Sequence, residues 1–213
     1  MSNFITLEGP EGSGKSSVME VVYSRLILEG YEIIKTREPG GTEIGEQIRN
    51  VILNNQNVNM DIRTEALLFA ASRRQHLVEK IWPSLKENKL VFCDRYLDSS
   101  LSYQGYARGL GIDEVLKINL FATENTFPTL TLLFDVDPEI GLNRIKNNAS
   151  REVNRLDKEK LEFHKKVREG YLILQKRFPE RIKIIDASQP FEQVVEQAYK
   201  VIKENLQWVL KNI

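Results

Sequence analysis

An eight-residue motif near the start of the chain has the clearest capacity for chemistry. It runs from Gly9 to Ser16 with the sequence GPEGSGKS and follows the apolar run FITL at residues 4–7. In a turn of this type, G-x-x-x-x-G-K-[ST], backbone N–H groups surround a phosphate and the next helix directs its positive dipole end at the same anion. We expect Lys15 to reach the β- and γ-phosphates and the Ser16 hydroxyl to ligate Mg²⁺. The motif therefore predicts a nucleoside triphosphate site.

Charged side chains also stand directly after the predicted strands. Glu8 ends the first strand, Arg37 and Glu38 follow the second, and Asp94 and Arg95 follow the third. Because ligands of open α/β sheets collect at the carboxyl ends of the strands, we expect these groups to converge near the glycine-rich turn. Asp94 resembles the acidic residue that P-loop enzymes place near Mg²⁺, with a helix cap as the alternative. Glu8 is a second candidate beside the ion.

Four arginines at or near the predicted strand ends are candidates to bind a second phosphate: Arg37, Arg49, Arg73 and Arg95. A guanidinium group binds two phosphate oxygens at once, which makes arginine suited to this task. Each of them, taken singly, is also explained as a surface charge. A second phosphate site beside the first predicts phosphoryl transfer to an acceptor that already carries phosphate, rather than to water.

The segment 144–157 is polar and basic, and it lies between two helical patterns. We interpret it as a mobile lid, because a kinase must keep water away from the phosphoryl group. If the closed lid is helical, Arg151 and Arg155 share a face at i,i+4 spacing and neutralise charge on the transferred group. The alternative is an exposed basic loop, and the sequence does not decide among Arg144, Arg151 and Arg155.

Residues 99–106, SSLSYQGY, offer hydroxyl, amide and ring groups close behind Asp94 and Arg95. This mixture suits the edge and face of a nucleobase together with a sugar. On an earlier predicted helix, Phe69 and Arg73 are four residues apart and share one face, so a base can stack on the ring while the guanidinium bonds its edge. Core packing is the alternative for Phe69, and the pattern alone favours it.

Composition limits the classes of protein to consider. The 213 residues carry 30 basic and 30 acidic side chains, which argues against a broad basic surface for nucleic acid. The length indicates one domain over residues 1–213. The lone Cys93 excludes internal disulfides, fits a reducing compartment and is expected to be buried. Without a membrane-length apolar stretch or a signal peptide, we expect a cytosolic protein.

Strand-like and helix-like segments alternate, which predicts an α/β fold with a parallel sheet of five strands flanked by helices. The predicted strands are 4–7, 32–36, 90–93, 130–134 and 183–185. The predicted helices are 16–29, a long helix capped by Asp61 that Pro83 kinks or ends, 113–125, 158–177 and 191–210. The apolar stripe of the last helix indicates core or interface.

Taken together, these residues resemble the bacterial thymidylate kinases, a family of P-loop nucleoside monophosphate kinases, almost from end to end. The shared motifs are LEGPEGSGKS at 7–16, TREPGG at 36–41, RTEALLFAASR at 63–73, DRY at 94–96 and SSLSYQG at 99–105. The resemblance implies Mg²⁺-dependent transfer of the γ-phosphoryl group of ATP to dTMP, giving dTDP for dTTP synthesis. It also implies a homodimer, which no pattern in the sequence indicates.

The resemblance further assigns roles to individual residues. ATP binding is implied for Gly9, Pro10, Glu11, Gly12, Ser13, Gly14, Lys15, Ser16 and Ser17. Acceptor binding is implied for Glu8, Arg37, Glu38, Arg49, Phe69, Arg73, Arg95, Ser99, Ser100, Tyr103 and Gln104. Within that set Phe69 stacks under thymine, Arg73 and Gln104 bond its polar edge, and Tyr103 lies against the sugar.

Metal binding is implied for Ser16 and Asp94, and catalysis for Lys15 and Arg95 together with the lid arginines Arg151 and Arg155. One branch of the family carries its catalytic arginine inside the P-loop, where this chain has Gly12. The chain is therefore similar to the bacterial branch, which carries that arginine in the lid.

Two other functions are compatible with a P-loop. A deoxynucleoside kinase phosphorylates a bare 5′-hydroxyl and needs a general base there, whereas Arg37, Arg49 and Arg95 favour an acceptor that bears phosphate. A nucleotide-regulated switch or ATPase uses the phosphate to order a binding loop. Guanine-specific switches carry Asn-Lys-x-Asp, and residues 88–91, NKLV, lack the aspartate.

Overall fold

Five parallel strands form the centre of the molecule. The computed structural model describes residues 3–147 and 154–211, with side chains up to residue 206. The strand order is β2-β3-β1-β4-β5, and each neighbouring pair is parallel. The strands are β1 Phe4–Glu8, β2 Ile33–Arg37, β3 Leu90–Asp94, β4 Leu130–Asp135 and β5 Ile182–Asp186. The predicted fold class and all five predicted strands are confirmed.

Helices cover both faces of this sheet. They are α1 Lys15–Leu28, α2 Glu43–Leu53, α3 Ile62–His76, α4 Trp82–Lys86, α5 Leu97–Ser100, α6 Ile112–Thr123, α7 Pro138–Lys146, α8 Leu161–Arg177 and α9 Phe191–Lys211. Two π-helical segments, Leu77–Ile81 and Leu101–Ala107, continue α3 into α4 and extend α5. None of the helices in the described part of the chain is long and apolar enough to cross a membrane.

The two faces of the sheet are buried in separate apolar layers. One layer joins the sheet to α1 and α9, and it includes Val18, Val22 and Ala198. The other joins the sheet to the π-helical segments and α8, and it includes Leu101 and Tyr171. A sheet covered on both faces has strands that are apolar on both sides, which explains the nearly continuous apolar runs of β3 and β4. The stripe of α9 is core, as its spacing indicates.

The helix that contains Pro83 continues further than its sequence predicts. Its wide π-helical turn precedes the proline, and Pro83 lies in the first turn of α4, where its missing N–H removes no helical hydrogen bond. Helix α2 was not predicted, although Ile44, Ile48 and Ile52 recur at a spacing of four residues. Thr42 caps α2 by accepting a hydrogen bond from the Gly45 N–H at 3.2 Å.

Candidate active site

The P-loop connects β1 to α1, and its backbone shape requires glycine. Gly9, Gly12 and Gly14 have φ values of +145°, +70° and +84°. A Cβ on Gly9 would lie 2.4 Å from the Phe134 carbonyl oxygen, and one on Gly12 would lie 2.1 Å from that of Gly141. The loop is thus pressed against the end of β4 and the backbone of α7, with no room for side chains at two of its positions.

Lys15 begins α1 and is held ready for an anion. Its side chain is 7% exposed and forms no hydrogen bond with the described residues. Burial lowers the pKa of Lys15, and the nearby Arg95 guanidinium lowers it further. An anion placed beside the amine would offset both effects, because it stabilises the ammonium form.

A cavity of about 520 Å³ opens at the carboxyl ends of the strands. Its wall includes most of the residues that the sequence assigns to ATP and acceptor. These are Glu11, Gly12, Ser13, Gly14, Lys15, Ser16, Ser17, Arg37, Glu38, Arg49, Phe69, Asp94, Arg95, Ser99, Tyr103 and Gln104. Other predicted site residues, Glu8, Gly9, Pro10, Arg73, Ser100 and Arg155, are described but lie outside this wall. Arg151 lies outside the described residues.

Ser16 and Asp94 meet at the mouth of the P-loop. The Ser16 hydroxyl donates to Asp94 Oδ2 at 2.5 Å, which joins the start of α1 to the end of β3. A hydroxyl and a carboxylate are hard oxygen ligands, and Mg²⁺ in phosphate sites usually takes one or two such protein ligands besides phosphate and water. The pair predicted to hold the metal therefore fits Mg²⁺ in chemistry and position.

Arg95 directly follows β3, and its side chain lies beside the P-loop; its backbone is in a left-handed conformation, with φ +68°. Its guanidinium donates to Glu11 Oε1 at 2.6 Å and to the Gly9 carbonyl oxygen at 3.2 Å. It also stacks over the Tyr103 ring at 5.2 Å. Burial is the largest single effect and opposes its charge, but Glu11, Tyr103, Tyr171 and Asp94 together outweigh burial and keep the pKa of Arg95 above its ordinary value. Arg95 is thus aimed at the P-loop as a permanent cation.

Two further arginines extend this positive side of the cavity. Arg37 donates to both carboxylate oxygens of Glu46, at 2.9 and 3.1 Å, and about half of its side chain is exposed. Arg49 donates to the Pro39 carbonyl oxygen at 2.9 Å. With Arg95, these residues contribute three arginine side chains to the cavity wall that the P-loop also lines.

Two hydroxyl groups connect Arg95 to the buried carboxylate of Glu8. Ser99 Oγ and Tyr171 OH accept from Arg95 at 3.2 and 3.1 Å and donate to Glu8 Oε2 at 2.5 and 2.8 Å. Glu8 also accepts from the Tyr96 N–H at 2.7 Å. Burial and the neighbouring Asp98 raise the pKa of Glu8 to about 7. Glu8 therefore supports Arg95 from below, and it does not line the cavity beside the metal ligands.

The far end of the cavity is less charged. Phe69 from α3, Tyr103 and Gln104 from the second π-helical segment, and Leu53 and Leu156 form its wall. Phe69 is 8% exposed and also packs against Ile52 and Leu156, so both interpretations of this ring, core and cavity wall, apply. A flat apolar ring bordered by an amide and a phenol suits a nucleobase.

Arg73 lies behind this end of the cavity rather than in its wall. It is 1% exposed and pairs with Glu38 Oε2 at 2.7 Å. It also donates to the Ser100 hydroxyl at 3.1 Å, to Asn119 and to the Tyr96 carbonyl oxygen at 3.0 Å. Four of its five N–H groups have partners, which leaves one donor for a base. The predicted contact of Arg73 with the base edge depends on that single donor.

The lid arginines differ in position. Arg155 is buried outside the cavity wall, where it pairs with Glu65 Oε2 at 2.6 Å and donates to the Ile52 carbonyl oxygen at 3.0 Å. The described residues on both sides of it are not helical, unlike the helical lid considered from the sequence. Arg144 in α7 lines the cavity beside the P-loop and donates to the Ala187 carbonyl oxygen at 3.1 Å.

Sequence reasoning missed Glu65 and Tyr171, which support the site from behind. Tyr171 lies in α8, which is far from every motif in the sequence. Glu65 lies inside the motif RTEALLFAASR but reads as an ordinary charged helix residue. Neither residue can be identified as part of the site without knowing which distant elements pack together, since their partners are 39 to 163 residues away along the chain.

The parallel sheet, the P-loop and the arginines in the same cavity wall define a nucleotide-binding kinase of the P-loop α/β class. A family model described as thymidylate kinase matches residues 7–198, and the chain belongs to this family. The thymidylate kinase of Clostridium novyi (strain NT) is 59% identical over 200 residues, which cover 94% of this chain and 98% of that protein. That of Bacillus velezensis is 59% identical over 203 residues, which cover 95% and 96%. A crystal structure of thymidylate kinase from Ehrlichia chaffeensis superposes with a TM-score of 0.75 at 32% identity, covering 94% and 97%.

Proposed function

We propose that the protein transfers the γ-phosphoryl group of ATP to the 5′-phosphate of dTMP, giving ADP and dTDP. Family membership over nearly the whole chain supports this reaction. The observation that carries it is the single cavity whose wall contains the P-loop together with Arg37, Arg49 and Arg95. Such a lining supports two phosphate-bearing molecules that meet with their phosphates in one cavity.

In this reaction the protein mainly positions the two substrates and stabilises their charge, and it forms no covalent bond with either of them. An oxygen of the dTMP phosphate attacks the γ-phosphorus of ATP, and the bond to the β,γ-bridging oxygen breaks, so that ADP leaves. Lys15 and the P-loop amides hold the β- and γ-phosphates, while Arg95, Arg37 and Arg49 hold the acceptor phosphate. Mg²⁺, held by Ser16 and Asp94, would neutralise charge on the β- and γ-oxygens.

The acceptor nucleoside occupies the less charged end in this proposal. Phe69 stacks on thymine, Gln104 and the remaining donor of Arg73 bond its polar edge, and Tyr103 lies against the sugar. Arg144, which borders the P-loop, and Arg151 are the lid arginines proposed to stabilise the transferred group. Arg155 is left out of that role because its guanidinium is paired with Glu65.

A homodimer, a cytosolic location and the absence of a nucleic-acid partner remain predictions. The homodimer has one supporting observation. Helices α3 and α6 pack together and carry exposed apolar side chains, with Leu67 56% and Phe121 89% exposed. A second copy of this chain would cover that surface.

The assay that tests the reaction follows ADP release with ATP, Mg²⁺ and one acceptor at a time, and identifies products by chromatography. ADP and dTDP should form in equal amounts with dTMP. Turnover of thymidine but not dTMP would identify a deoxynucleoside kinase, and rapid ADP release without any acceptor would identify an ATPase or switch. Either outcome overturns the proposal.

A matched pair of arginine variants sharpens this assay. Arg95→Met should raise the KM for dTMP about 100-fold, because a buried charged contact is lost, and should change the KM for ATP much less. Arg177→Met, which removes an exposed arginine paired with Asp113, is the control and should change neither. Unchanged acceptor kinetics in Arg95→Met would remove Arg95 from the acceptor site.

A further inference from the structure

We infer that Glu65 is a positioning residue that selects the base: it fixes the side-chain amide of Gln104 so that the amide oxygen faces the cavity. The inference deepens the proposed function and rests on it, since it concerns the same acceptor site. Glu65 itself is not in the cavity wall, and it acts through Gln104, which is.

The contacts of Glu65 come from two separate parts of the chain, residues 104–108 and Arg155. It lies in α3 with 1% of its side chain exposed, and its Oε1 accepts from Gln104 Nε2 at 2.9 Å. Arg155 NH2 donates to Oε2 at 2.6 Å. Arg108 donates to both oxygens at 3.3 and 3.4 Å and also pairs with Glu159 at 2.7 Å. One buried carboxylate therefore collects two arginines and one amide.

These partners keep the carboxylate ionised. Burial opposes the charge of Glu65, but the hydrogen bonds from Gln104 and Arg155 and the charge of Arg108 outweigh it and lower the pKa of Glu65. An ionised carboxylate has no proton to donate, so the group that faces it must be a donor. The Gln104 amide meets this condition only with its NH₂ turned toward Glu65.

The other half of the amide is then left for a ligand. Gln104 is in the cavity wall, and its amide oxygen has no hydrogen-bond partner within residues 3–147 and 154–206. With the NH₂ fixed on Glu65, the oxygen is the amide atom that meets a base in the cavity. The cavity wall thus presents a hydrogen-bond acceptor at Gln104 rather than an amide whose oxygen and NH₂ can exchange places.

This acceptor distinguishes two kinds of pyrimidine. Thymine and uracil carry an N–H at ring position 3 and donate to the amide oxygen, whereas N3 of cytosine is itself an acceptor. Two acceptors facing each other in a buried site leave both unpaired, and such a mismatch costs about 1–3 kcal/mol. Glu65 thereby makes Gln104 select an imide base.

The same geometry gives Arg155 a use that the sequence did not suggest. Arg155 lies just beyond the part of the lid that includes Arg151, and its ion pair braces Glu65 from the lid side. Arg108 and Glu159 brace the carboxylate from the other side. Arg155 therefore supports base selection from behind the cavity wall.

The test compares kcat/KM for dTMP with that for 5-methyl-dCMP, which has the same shape but an acceptor at N3. Wild-type protein must first phosphorylate dTMP; if it does not, the proposed function fails and this inference is withdrawn with it. In Glu65→Gln the new amide can donate or accept, so Gln104 can turn over and the selectivity ratio should fall about tenfold. Glu114→Gln, which loses an exposed ion pair with Lys117, is the matched control and should keep the ratio.

A merely structural Glu65 would lower kcat/KM for both substrates equally and leave their ratio unchanged. That result, with dTMP still turned over, would overturn the inference alone. A double-mutant cycle that combines Glu65→Gln with Gln104→Ala adds a second criterion. The double variant should have the same ratio of kcat/KM for dTMP and 5-methyl-dCMP as Gln104→Ala alone. Additive losses of selectivity would mean that Glu65 acts independently of Gln104.

A measurement on wild-type protein decides the question if Glu65→Gln does not fold. The side-chain NH₂ protons of Gln104, assigned by their absence in Gln104→Ala, should exchange slowly with solvent both before and after dTMP is added. Protection that appears only with dTMP would mean that the NH₂ donates to the base, and the inference would be wrong.

Discussion

Glu8 and Glu65 are both fully buried carboxylates beneath the same cavity, yet their pKa values are shifted in opposite directions. Glu8 lies under the phosphate end, the part of the cavity with Lys15 and Arg95 that we propose binds phosphate; it is contacted by the Tyr96 N–H and two hydroxyls, and its pKa is raised to about 7. Glu65 lies under the base end, the part with Phe69 and Gln104 that we propose binds the base; it is contacted directly by two arginines, and its pKa is lowered. Direct contact with a cation, more than burial, decides whether a buried carboxylate stays ionised.

The cations of the two ends are used in correspondingly different ways. At the phosphate end, Lys15 has no hydrogen-bond partner within the described residues, and Arg95 lines the cavity as a permanent charge. At the base end, Arg73 and Arg155 are buried and pair with Glu38 and Glu65. At the phosphate end the cations line the cavity, where Arg95 also pairs with Glu11, while the base end uses its arginines behind the wall to fix neighbouring side chains.

The largest expected effect is at the phosphate end. Lys15→Ala should lower kcat about 10³-fold, because no other side chain replaces the ammonium beside the β- and γ-phosphates. Binding of dTMP, measured by calorimetry, should be retained. Lys117→Ala, at an exposed lysine paired with Glu114, is the control and should leave kcat unchanged. A Lys15→Ala enzyme of near wild-type activity would contradict the contrast between the two ends.

The next effect tests how far backbone packing defines the phosphate end. Gly12→Ala should lower the free energy of unfolding by about 3 kcal/mol, because the residue combines a left-handed backbone with a Cβ forced onto the Gly141 carbonyl oxygen. Gly14→Ala is the matched control. It has φ +84° but no atom within 4 Å of the added Cβ, so its cost should be about 1 kcal/mol.

Denaturant titration without nucleotide measures both values, because a bound phosphate would crowd either Cβ. Equal losses in Gly12→Ala and Gly14→Ala would mean that the contact between the P-loop and α7 relaxes easily. In that case the phosphate end is defined by its side chains, as the base end is.

At the base end, Phe69→Ala should raise the KM for dTMP about 30-fold, or about 2 kcal/mol, through the loss of ring stacking and apolar contact. The KM for ATP should change little. Phe191→Ala, at a phenylalanine of α9 that is 44% exposed, is the control. Equal effects on both substrates would mean that Phe69 is chiefly core, packed against Ile52 and Leu156.

The sequence predicts the phosphate end better than the base end, for a physical reason. A P-loop is local: its glycines, its lysine and its position after a strand are contiguous, so Gly9 to Ser16 define it without knowledge of the rest of the chain. The alternation of strands and helices likewise predicts the five-stranded sheet. Helix α2 was not predicted, because the exposed residues between Ile44, Ile48 and Ile52 obscure their regular spacing.

The supports behind the cavity wall were beyond prediction, since they depend on which distant side chains meet. Arg155 has the spacing of a lid arginine, but the acceptor that holds it is Glu65, 90 residues away along the chain. Glu8 follows its strand like a metal ligand, but Tyr171, 163 residues away, is among the groups that bind its carboxylate. Residue type and spacing indicate what a side chain can do, and packing decides where it does it.

Glu8→Gln is expected to have the smallest effect at neutral pH, and its pH dependence tests the contrast between the carboxylates. The pKa of Glu8 is raised from 4.5 to about 7 by burial and then by Asp98, so between these values the native chain holds a proton that the unfolded chain has released. The free energy of unfolding that Glu8 contributes therefore falls as the pH rises from about 4.5 to 7, by about 3 kcal/mol.

Activity is expected to change in the opposite direction. The ionised carboxylate accepts more strongly than the neutral carboxyl from the two hydroxyls that hold Arg95, so kcat/KM for dTMP in wild-type protein should rise with pH through about 7. Glu8→Gln stays neutral at every pH, so its profile should lack this rise and lie about threefold lower at pH 7. The phosphate of the acceptor titrates near about pH 6 in both proteins, and the difference between their profiles isolates Glu8.

Tyr171→Phe separates the charge of Glu8 from the hydroxyls that transmit it. This variant removes one of the two hydroxyls between Glu8 and Arg95 but keeps the titrating carboxyl. Its profile should keep the rise near pH 7 at a lower overall activity. If wild-type protein and Glu8→Gln have the same profile, Arg95 does not depend on the charge below it. Glu8 would then be a buried carboxyl without a positioning role, and Glu65 alone would act on the site from behind.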